Sequence, residues 1–428
     1  MDKRLLSSAL LVILIGGFGL GCVLRFDVVH ASTEVTGVIG SSTAWHKADS
    51  PINLTGPVLV AENVTLTVEA GVTVNLNGYY IRVDGTLCAR GKVSDKIYFL
   101  GGSSEPPNWS LMFTSVSTSW DEADGSGCVI ENVVVDSMHA GVSIDDTSPR
   151  VDSSVISGYY AIDVFGGGSP VISNSTINGE VGVHGATPTI LGNNVTGRVL
   201  ASRSVDPVVI SNNTIVNWDR NVNGSGIVCA NAHVHDNIVC GFPLAGITVE
   251  STWGPNATIE RNLVVYNSVG INVSRSANPV IRYNTVANNS LGIEVNQTCS
   301  PRINYNNIVD NSKNSVYLAV DSNDVDAANN WWGTKDIAAI NQSIFDFEDD
   351  FNLGAVAFMP FLTAPHPAAP SIESAPEFTP PPTPGPAVSS PEPSTTSSPR
   401  ILELAILALL VVVAGLLVVT IFLLLRRH

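Results

Sequence analysis

Three hexapeptides spaced 22 residues apart decide the fold: IERNLV at 259–264, IRYNTV at 281–286 and INYNNI at 303–308. Each opens with isoleucine, has asparagine at its fourth position and closes with a β-branched aliphatic residue. The pattern extends in both directions at spacings of 18 to 25 residues. Its ten predicted starting residues are Ile130, Val151, Ile172, Ile190, Ile210, Val234, Ile259, Ile281, Ile303 and Val325.

A repeat of this length predicts short β-strands stacked in a solenoid. A second short strand with alternating apolar residues follows each hexapeptide, most clearly at 226–229, 246–249, 270–273 and 292–295. These aliphatic residues become buried only against the turns above and below. The recurrent residues that build helical repeats are missing from the pattern. We therefore predict an all-β chain that forms a parallel β-helix of about ten to twelve turns.

The residue five positions after each of the first nine starts is a β-branched aliphatic that should point inward. These residues are Val135, Ile156, Ile177, Val195, Ile215, Val239, Val264, Val286 and Ile308. The residue three positions after the start is asparagine in six successive turns. These are Asn193, Asn213, Asn237, Asn262, Asn284 and Asn306. We expect a structural ladder at a tight turn, because asparagine tolerates left-handed backbone and stacked amides can hydrogen-bond between turns.

The composition limits the classes of partner. Only 14% of the 428 residues are charged, and the formal net charge is −17. Nucleic acid is not expected as a partner, because its binding requires a basic surface. Cations and neutral glycans remain compatible with an acidic surface.

Both ends of the chain are interpreted as targeting or anchoring segments. Residues 1–31 resemble an export signal, with Lys3 and Arg4 before an apolar run and a small-residue cleavage site at 29–31. Residues 401–425 are predicted to form a transmembrane helix, because the run 404–425 holds no charge and is long enough to cross a bilayer. Residues 426–428 form the predicted cytoplasmic tail. The expected localisation is the cell membrane, as a single-pass type I protein with an extracellular ectodomain.

The segment 365–400 is predicted to be a stalk rich in Pro, Ser and Thr, because it cannot bury a core. Twelve Asn-X-Ser/Thr sequons lie outside the predicted membrane helix and are glycosylation candidates, of which we expect only part to be used. They start at Asn53, Asn63, Asn108, Asn174, Asn194, Asn212, Asn223, Asn256, Asn272, Asn288, Asn296 and Asn341.

Five cysteines remain after removal of the export signal: Cys88, Cys128, Cys229, Cys240 and Cys299. Their odd number means that at least one is unpaired or pairs between chains, and no spacing matches a zinc site. Export permits a disulfide between Cys229 and Cys240. A buried thiol stacked in each turn is an equal alternative.

The two ends of the repeat region resemble a known family. The segments 71–76, 83–87 and 97–99 resemble the opening turns of right-handed β-helix surface proteins, and 329–334 with 337–360 resemble their terminal segment. This is the pectate-lyase-like superfamily, which includes NosD-type and carbohydrate-binding β-helix domains. The resemblance covers roughly residues 35–362. It implies an N-terminal cap with the first turns at 32–129, repeats at 130–330, and a C-terminal cap at 331–364 in which Trp331 and Trp332 shield the last turn.

Candidate catalytic residues are few in the repeats. Lyases of this superfamily use carboxylates that hold Ca²⁺ together with a basic residue, and the related hydrolases use paired carboxylates. Asp145 and Asp146 are the only adjacent acidic pair between residues 130 and 330, and they precede a predicted turn. The segment 182–185, Gly-Val-His-Gly, is weakly similar to a hydrolase loop. We therefore assign no catalytic residue.

Metal sites are also weakly indicated, and we expect no cofactor. His233 and His235 should project to one side of a strand, but no third ligand is evident. The oxygen ligands Asp321, Asn323, Asp324 and Asp326 make Ca²⁺ an alternative, although the distal Glu of a hand loop is missing.

These patterns favour a non-enzymatic, membrane-anchored surface protein. Its long sheet faces are expected to bind glycans or other surface proteins, or to form part of the envelope. The alternatives are a carbohydrate-active enzyme, either a polysaccharide lyase or a glycosidase, and a NosD-like metal-binding accessory protein.

Overall fold

The structure, a computed structural model, describes residues 32–102, 108–201, 204, 206–217, 222–250 and 257–377. All of them lie in the first of two units, residues 1–379. The predicted export signal 1–31, stalk residues 378–400, transmembrane helix 401–425 and tail 426–428 lie outside the described residues, as does Asn256. Among the described residues there is no helix of the length and apolar character needed to cross a bilayer.

The described part of the chain forms a parallel β-solenoid of about 13 turns, slightly more than the ten to twelve predicted. Each complete turn contributes a strand to each of three faces. The hexapeptide contributes to two faces, because the chain turns at its asparagine. The first face is a 14-stranded sheet. Its strands are Thr43–Trp45, Thr65–Val68, Thr86–Arg90, Val129–Glu131, Arg150–Asp152, Val171–Ser173, Thr189–Leu191, Val208–Ser211, Ala232–His235, Thr258–Glu260, Val280–Arg282, Arg302–Asn304, Val325–Asp326 and Val356–Ala357.

The second and third faces are joined by four long strands that run across their shared corner: Thr33–Ile39, Ile52–Val60, Val155–Phe165 and Thr176–His184. The second face also contains Thr73–Asn75, Ile97–Leu100, Val133–Asp136, Asn194–Val195, Thr214–Val216, Ile238–Cys240, Leu263–Val265, Thr285–Ala287 and Asn307–Val309. The third face also contains Ile81–Val83, Trp109–Phe113, Ala140–Asp145, Val199–Ala201, Ile227–Cys229, Ala245–Glu250, Val269–Ser274, Leu291–Val295, Asn314–Leu318 and Ile344–Phe345.

Strand register confirms nine of the ten predicted starting residues. Ile281 pairs with Ile259 on one side and with Ile303 on the other, and all three are fully buried. The tenth, Val325, is wrong by two residues. Arg302 pairs with Asp326, so the residue that lies beside Ile303 in the following turn is Ala327 and not Val325. The last turn holds 24 residues instead of 22, and the buried Ala327 fills the core position.

Columns of stacked aliphatic side chains form the core, as the alternation predicted. Val286 pairs with Val264 and Ile308 in the neighbouring turns, and none of the three is exposed. Glycine opens several third-face strands because the corner is crowded. A Cβ atom on Gly270 would lie 2.5 Å from both Val286 Cγ1 and the Gly292 carbonyl oxygen.

The C-terminal cap contains the one α-helix of the described residues, Ile337–Gln342. Asp336 caps its N-terminus by accepting a hydrogen bond from the Ala338 amide at 2.9 Å. Ile340 and Trp332 are buried, and the Trp332 ring meets Phe358 edge to face at 6.4 Å. Trp331 is half-buried at the side of the solenoid. Short 3₁₀ turns occur at Lys47–Asp49 and Ile372–Ser374.

The segment 365–377 was assigned to the stalk, but it packs on the second face. Its Ile372 and Ala375 contact an outward-facing apolar cluster on that face. Four prolines leave the segment without strand structure, while its apolar side chains still gain burial against the sheet. Residues 365–377 are therefore part of the solenoid surface and not of an extended stalk.

Candidate functional site: an acid–aromatic cleft on the third face

The long strands Val155–Phe165 and Thr176–His184 present polar and aromatic side chains outward on the third face. Ile162 and Val164 are buried, so the alternation turns Asp163 and Phe165 towards solvent. In the next turn Asp163 pairs with Gly182, and Phe165 pairs with His184. The glycine leaves room for the carboxyl group, because a Cβ atom at position 182 would lie 2.5 Å from Asp163 Oδ1.

Asp163 is the chemically distinctive residue of this region. Its Oδ1 lies 3.3 Å from His184 Nε2, and its side chain is 13% exposed. Burial raises the pKa of Asp163, the nearby Glu180 carboxylate raises it further, and His184 lowers it. The contact with His184 lacks hydrogen-bond geometry, and Oδ1 is buried without a hydrogen-bond partner. The environment therefore favours a protonated, neutral Asp163 at higher pH than usual.

Glu180 and Arg198 form an ion pair between adjacent turns. Arg198 Nε donates to Glu180 Oε2, and the Glu180 side chain is only 8% exposed. The pair lines a cleft of about 510 Å³ together with Tyr159, Asn178, Gly179, Thr196, Val222 and Asn223. A cleft with donors, acceptors and one aromatic wall suits a ligand rich in hydroxyl groups.

The Tyr159 ring lines the cleft, and two further rings lie next to it. Tyr159 is 65% exposed, and its ring meets that of Tyr160 edge to face at 4.8 Å. The His139 ring lies 5.6 Å from Tyr160 and 6.2 Å from Tyr159. Burial and then the charge of Glu180 raise the pKa of Tyr160, so its hydroxyl stays a proton donor. An exposed ring next to polar groups is a common platform for planar apolar ligand surfaces.

Buried polar atoms without a partner concentrate beside these rings. Among the described residues they include Asn108 Oδ1, Trp109 Nε1, Ser110 Oγ and His139 Nδ1, in addition to Asp163 Oδ1. Trp109 pairs with Ala140 in the next turn, which places the group next to His139. Buried polar groups are nearly always hydrogen-bonded, so such a group indicates a place for water or a ligand. We call this region the acid–aromatic cleft: Tyr159, Glu180 and Arg198 line the cleft itself, and His139, Tyr160, Asp163 and His184 lie on the neighbouring surface.

A second, smaller cleft of about 330 Å³ lies further along the same face. Glu250 pairs with Arg275 at 3.3 Å, and both line this cleft with Asn272 and Glu294. Burial raises the pKa of Glu294, against a hydrogen bond with Asn296 that lowers it. The third face therefore carries polar side chains and carboxyl groups along several turns.

The predicted asparagine ladder is a continuous hydrogen-bonded column. Asn284 Nδ2 donates to Asn306 Oδ1 at 3.0 Å and to the Ile259 carbonyl at 2.8 Å. Its Oδ1 accepts the Asn262 amide N–H at 2.9 Å. The same bonds link Asn193, Asn213, Asn237, Asn262, Asn284 and Asn306, and the column continues to Asn330. All seven are buried.

The left-handed backbone was expected at the ladder asparagines but occurs one residue earlier. The positive φ angles belong to residues such as Arg261 (53°), Tyr283 (58°) and Tyr305 (62°). The ladder side chain replaces hydrogen bonds that the bent backbone cannot make, which fixes the preceding residue in the strained region. A second ladder of Asn267, Asn289 and Asn311 lies at the next corner and was not predicted. Its signal in the sequence is the same spacing of 22 residues.

The candidate ligands for Ca²⁺ are used in hydrogen bonds. Asp324 Oδ1 accepts the Ala355 amide at 2.8 Å, and Asp326 Oδ1 accepts the Ala328 amide at 3.1 Å. Asn323 Nδ2 donates to the Thr298 carbonyl, and Asp321 has a positive φ of 59°. Within the ranges that the structure describes, no three His, Cys, Asp or Glu side chains are grouped as metal ligands.

The other candidate catalytic and metal-binding residues also make ordinary structural contacts. Asp146 Oδ1 accepts the Gly167 amide at 2.9 Å in a turn, and Asp145 lies at the end of its strand. His233 and His235 are 4.3 Å apart between ring centres on the first face. Each meets a carboxylate: His233 lies 3.1 Å from Glu260, and His235 lies 2.6 Å from Asp236.

The five cysteines among the described residues carry free thiols, and Cys88 is half-buried whereas the other four are buried. Burial raises the pKa of the Cys229 and Cys240 thiols to about 12. Among the sequons, six asparagines are exposed: Asn63, Asn174, Asn194, Asn212, Asn223 and Asn341. Five are half-buried: Asn53, Asn108, Asn272, Asn288 and Asn296.

Comparison with known proteins agrees with the geometry. The family model described as a right handed beta helix region matches residues 188–332. The fold of the residues that the structure describes is a right-handed parallel β-helix. No curated protein matches it.

Solved structures resemble it at low identity. A mutant of the periplasmic alginate epimerase AlgG is 14% identical, with 72% of this chain and 74% of that chain covered and a TM-score of 0.34. The receptor-binding protein of bacteriophage Det7, a podoviral tailspike in a myovirus, is 11% identical, with 79% and 76% covered and a TM-score of 0.22. These values do not assign a substrate or ligand to this chain.

Proposed function

We propose that this protein is a surface protein that recognises carbohydrate through the acid–aromatic cleft of its third face. The observation that carries the proposal is the cleft of about 510 Å³ in which the exposed Tyr159 ring lies beside the ion pair of Glu180 and Arg198. Saccharides match such a surface because they present hydroxyl groups in their plane and an apolar face for stacking.

An uncharged saccharide fits the cleft better than a polyanion. Glu180 is already paired with Arg198, so the guanidinium group is not free to neutralise a carboxylate or sulfate of the ligand. The net charge of −17 disfavours association with acidic polymers over the whole surface. Burial raises the pKa of Asp163, and the protonated form that this favours can donate a hydrogen bond to a neutral hydroxyl without adding charge.

We also propose that the protein is a single-pass type I protein of the cell membrane with an extracellular solenoid. Residues 1–31 support export, and residues 401–425 followed by Arg426 and Arg427 support an anchor with a short inner tail. The glycan would then be met outside the cell, where the exposed sequons would also be available for modification.

A glycan array tests the proposal with three variants. Tyr159→Ala and Asp163→Asn should weaken binding to the recognised glycan by about tenfold or more, which corresponds to about 1.4 kcal/mol. Tyr98→Ala is the matched control, because Tyr98 is exposed on a strand of the second face. Absence of glycan binding, or an equal loss with the Tyr98 variant, would contradict the proposal.

Asp163 supports a second candidate function, cleavage of a polysaccharide. A carboxyl group with a raised pKa beside an ionised one is the arrangement from which glycosidases draw their proton donor. Product release from a polysaccharide panel, abolished by Asp163→Asn but not by Asp145→Asn, would favour this function. Binding without product in the wild-type protein would favour recognition alone.

A further inference from the structure

Residues 365–377, which we call the strap, pack on the second face. The half-buried residues include His366, Ala369, Ile372 and Ala375, at intervals of three. Between them stand exposed residues such as Pro367 and Glu373. The strap is folded by turns, in which the Ala369 amide donates to the His366 carbonyl and the Ala375 amide donates to the Ile372 carbonyl, so about every third residue meets the sheet.

The surface beneath the strap offers polar groups to its backbone. Asn307 Oδ1 accepts the His366 amide N–H at 2.7 Å. Thr285 Oγ1 donates to the Pro370 carbonyl at 2.5 Å. Thr285 and Asn307 pair with each other in adjacent turns, so the strap runs from the C-terminal turns towards earlier ones. Backbone contacts of this kind recognise an extended chain independently of most of its side chains.

Aromatic and apolar side chains complete the surface. The His366 ring lies 4.9 Å from Tyr283 and 5.7 Å from Tyr305 between ring centres. Ile372 and Ala375 contact the outward apolar cluster, whose buried residues are Val216, Cys240, Leu263, Val265 and Ala287. Ring contacts and apolar burial therefore add to the hydrogen bonds that hold the strap on this surface.

The strap does not fill this surface. A cavity of about 340 Å³ remains between the strap and the sheet, lined by Trp331, Val309, Pro365 and Pro370 among others. The strap carries no ion pair among the described residues, and its contacts are few hydrogen bonds and apolar burial. Such a segment can leave the groove without disturbing the core.

We propose that the second face carries a binding groove for proline-rich peptides, built around Thr285, Asn307, Tyr283, Tyr305 and Trp331, and that the strap occupies it in cis as a releasable latch. The groove recognises the Pro-His-Pro segment at 365–367 and the apolar anchor Ile372. Release frees about 13 residues, which add roughly 40 Å of reach in the polyproline II conformation. The added reach has an effect only if the proposed membrane anchor is present. The groove itself does not depend on that anchor.

The test uses the full-length protein and a fluorescent peptide with the sequence of residues 364–377. In the release variant, His366→Ala with Ile372→Ser, the strap loses its ring contact and its apolar anchor while the groove is unchanged. This variant should bind the peptide, measured by fluorescence anisotropy. Wild-type protein should bind it at least tenfold more weakly, because a tethered strap competes at an effective concentration in the millimolar range.

Two further variants separate recognition from folding. Thr285→Val in the release variant keeps the side-chain volume and removes the hydroxyl donor, so it should weaken peptide binding severalfold at an unchanged melting temperature. Glu373→Gln in the otherwise wild-type strap is the matched control and should behave as wild type, because Glu373 is exposed.

Three results would overturn the proposal. One is a folded release variant that does not bind the peptide, and another is a wild-type protein that binds it equally well. The third is a concentration-dependent wild-type dimer that the release variant does not form, which would place the strap in the groove of a second copy.

Discussion

At the scale of single residues, the asparagines contribute more than turn-forming tendency. Each ladder side chain accepts one backbone N–H and donates to a backbone carbonyl of a neighbouring turn, so it substitutes for strand pairing where the chain bends. The bent residue before it takes a positive φ, even when it is Tyr283 or Tyr305. Side-chain hydrogen bonds therefore compensate for a conformation that these residue types disfavour.

The adjacent residues Asn193 and Asn194 allow a matched test of the ladder. Asn193→Ala leaves the Ser175 amide and the Ile172 carbonyl without their partner in a buried corner. We expect a loss of about 2–4 kcal/mol in the free energy of unfolding. Asn194 is exposed, so Asn194→Ala should change it by less than about 0.5 kcal/mol. Urea unfolding of unglycosylated protein measures both, and equal effects would contradict the role of the ladder.

Glu260 is the centre of a charge network on the first face. Its side chain is 7% exposed and meets Arg261 at 2.7 Å, Arg282 at 2.8 Å and His233 at 3.1 Å. Burial alone would raise the pKa of Glu260, but hydrogen bonds from His233, Arg282 and Arg261 outweigh it and lower the pKa to about 2. The network holds three turns of the same face together.

The lowered pKa of Glu260 predicts a pH-dependent contribution to stability. This contribution is fully present above 4.5, the pKa of the unfolded residue, and is lost as the pH falls through about 2. Glu260→Gln should therefore cost about 2 kcal/mol at neutral pH and progressively less below pH 4.5. Thermal unfolding of both proteins across this range measures the difference. A constant difference would show that the charge of Glu260 is not what stabilises the fold.

At the scale of the strand, register decides the effect of a substitution. Val286 is buried between Val264 and Ile308, so Val286→Asp places an unpaired charge in the core and should cost several kcal/mol. Glu294 points outward between Ile293 and Val295, as the alternation predicted. Its carboxyl group is more enclosed than an outward position suggests, which is why burial raises its pKa.

Glu294→Gln should accordingly leave stability unchanged or raise it slightly, because it removes a partly desolvated charge. Thermal unfolding of the Glu294→Gln and Val286→Asp variants, each compared with the wild-type protein, measures this. A large loss from the glutamine variant would mean that the carboxylate makes a stabilising contact that its raised pKa argues against.

The strands were predictable where the turn length is regular. Ile259, Ile281 and Ile303 repeat at 22 residues, and their pairing followed directly from that period. Val325 was misplaced because two extra residues lengthen the last turn. The signal in the sequence is Asn330, which stands 24 residues after Asn306 and continues the ladder. The acid–aromatic cleft was missed for a related reason. Glu180 and Arg198 are 18 residues apart, in the shortest turn, so their pairing depends on a spacing that the main repeat does not contain.

At the scale of the whole solenoid, the three faces differ in their outward side chains although they share one core. The first face carries the charge network around Glu260, and the second carries an apolar cluster that the strap covers. The third presents the polar and aromatic cleft. Such differentiation is invisible to the inward repeat that sets the fold, because outward positions are free to vary from turn to turn.

The last prediction combines the strap with the proposed topology. Protease added to intact cells should release the solenoid by cutting after residue 377, because residues 365–377 are held on the second face and the proline-rich segment 378–400 is not predicted to fold. Mass spectrometry of the released fragment locates its C-terminus. In the release variant His366→Ala with Ile372→Ser, additional cuts should occur within 365–377. Retention of a full-length, protected chain would contradict the type I orientation, and wild-type cleavage within 365–377 would contradict a docked strap.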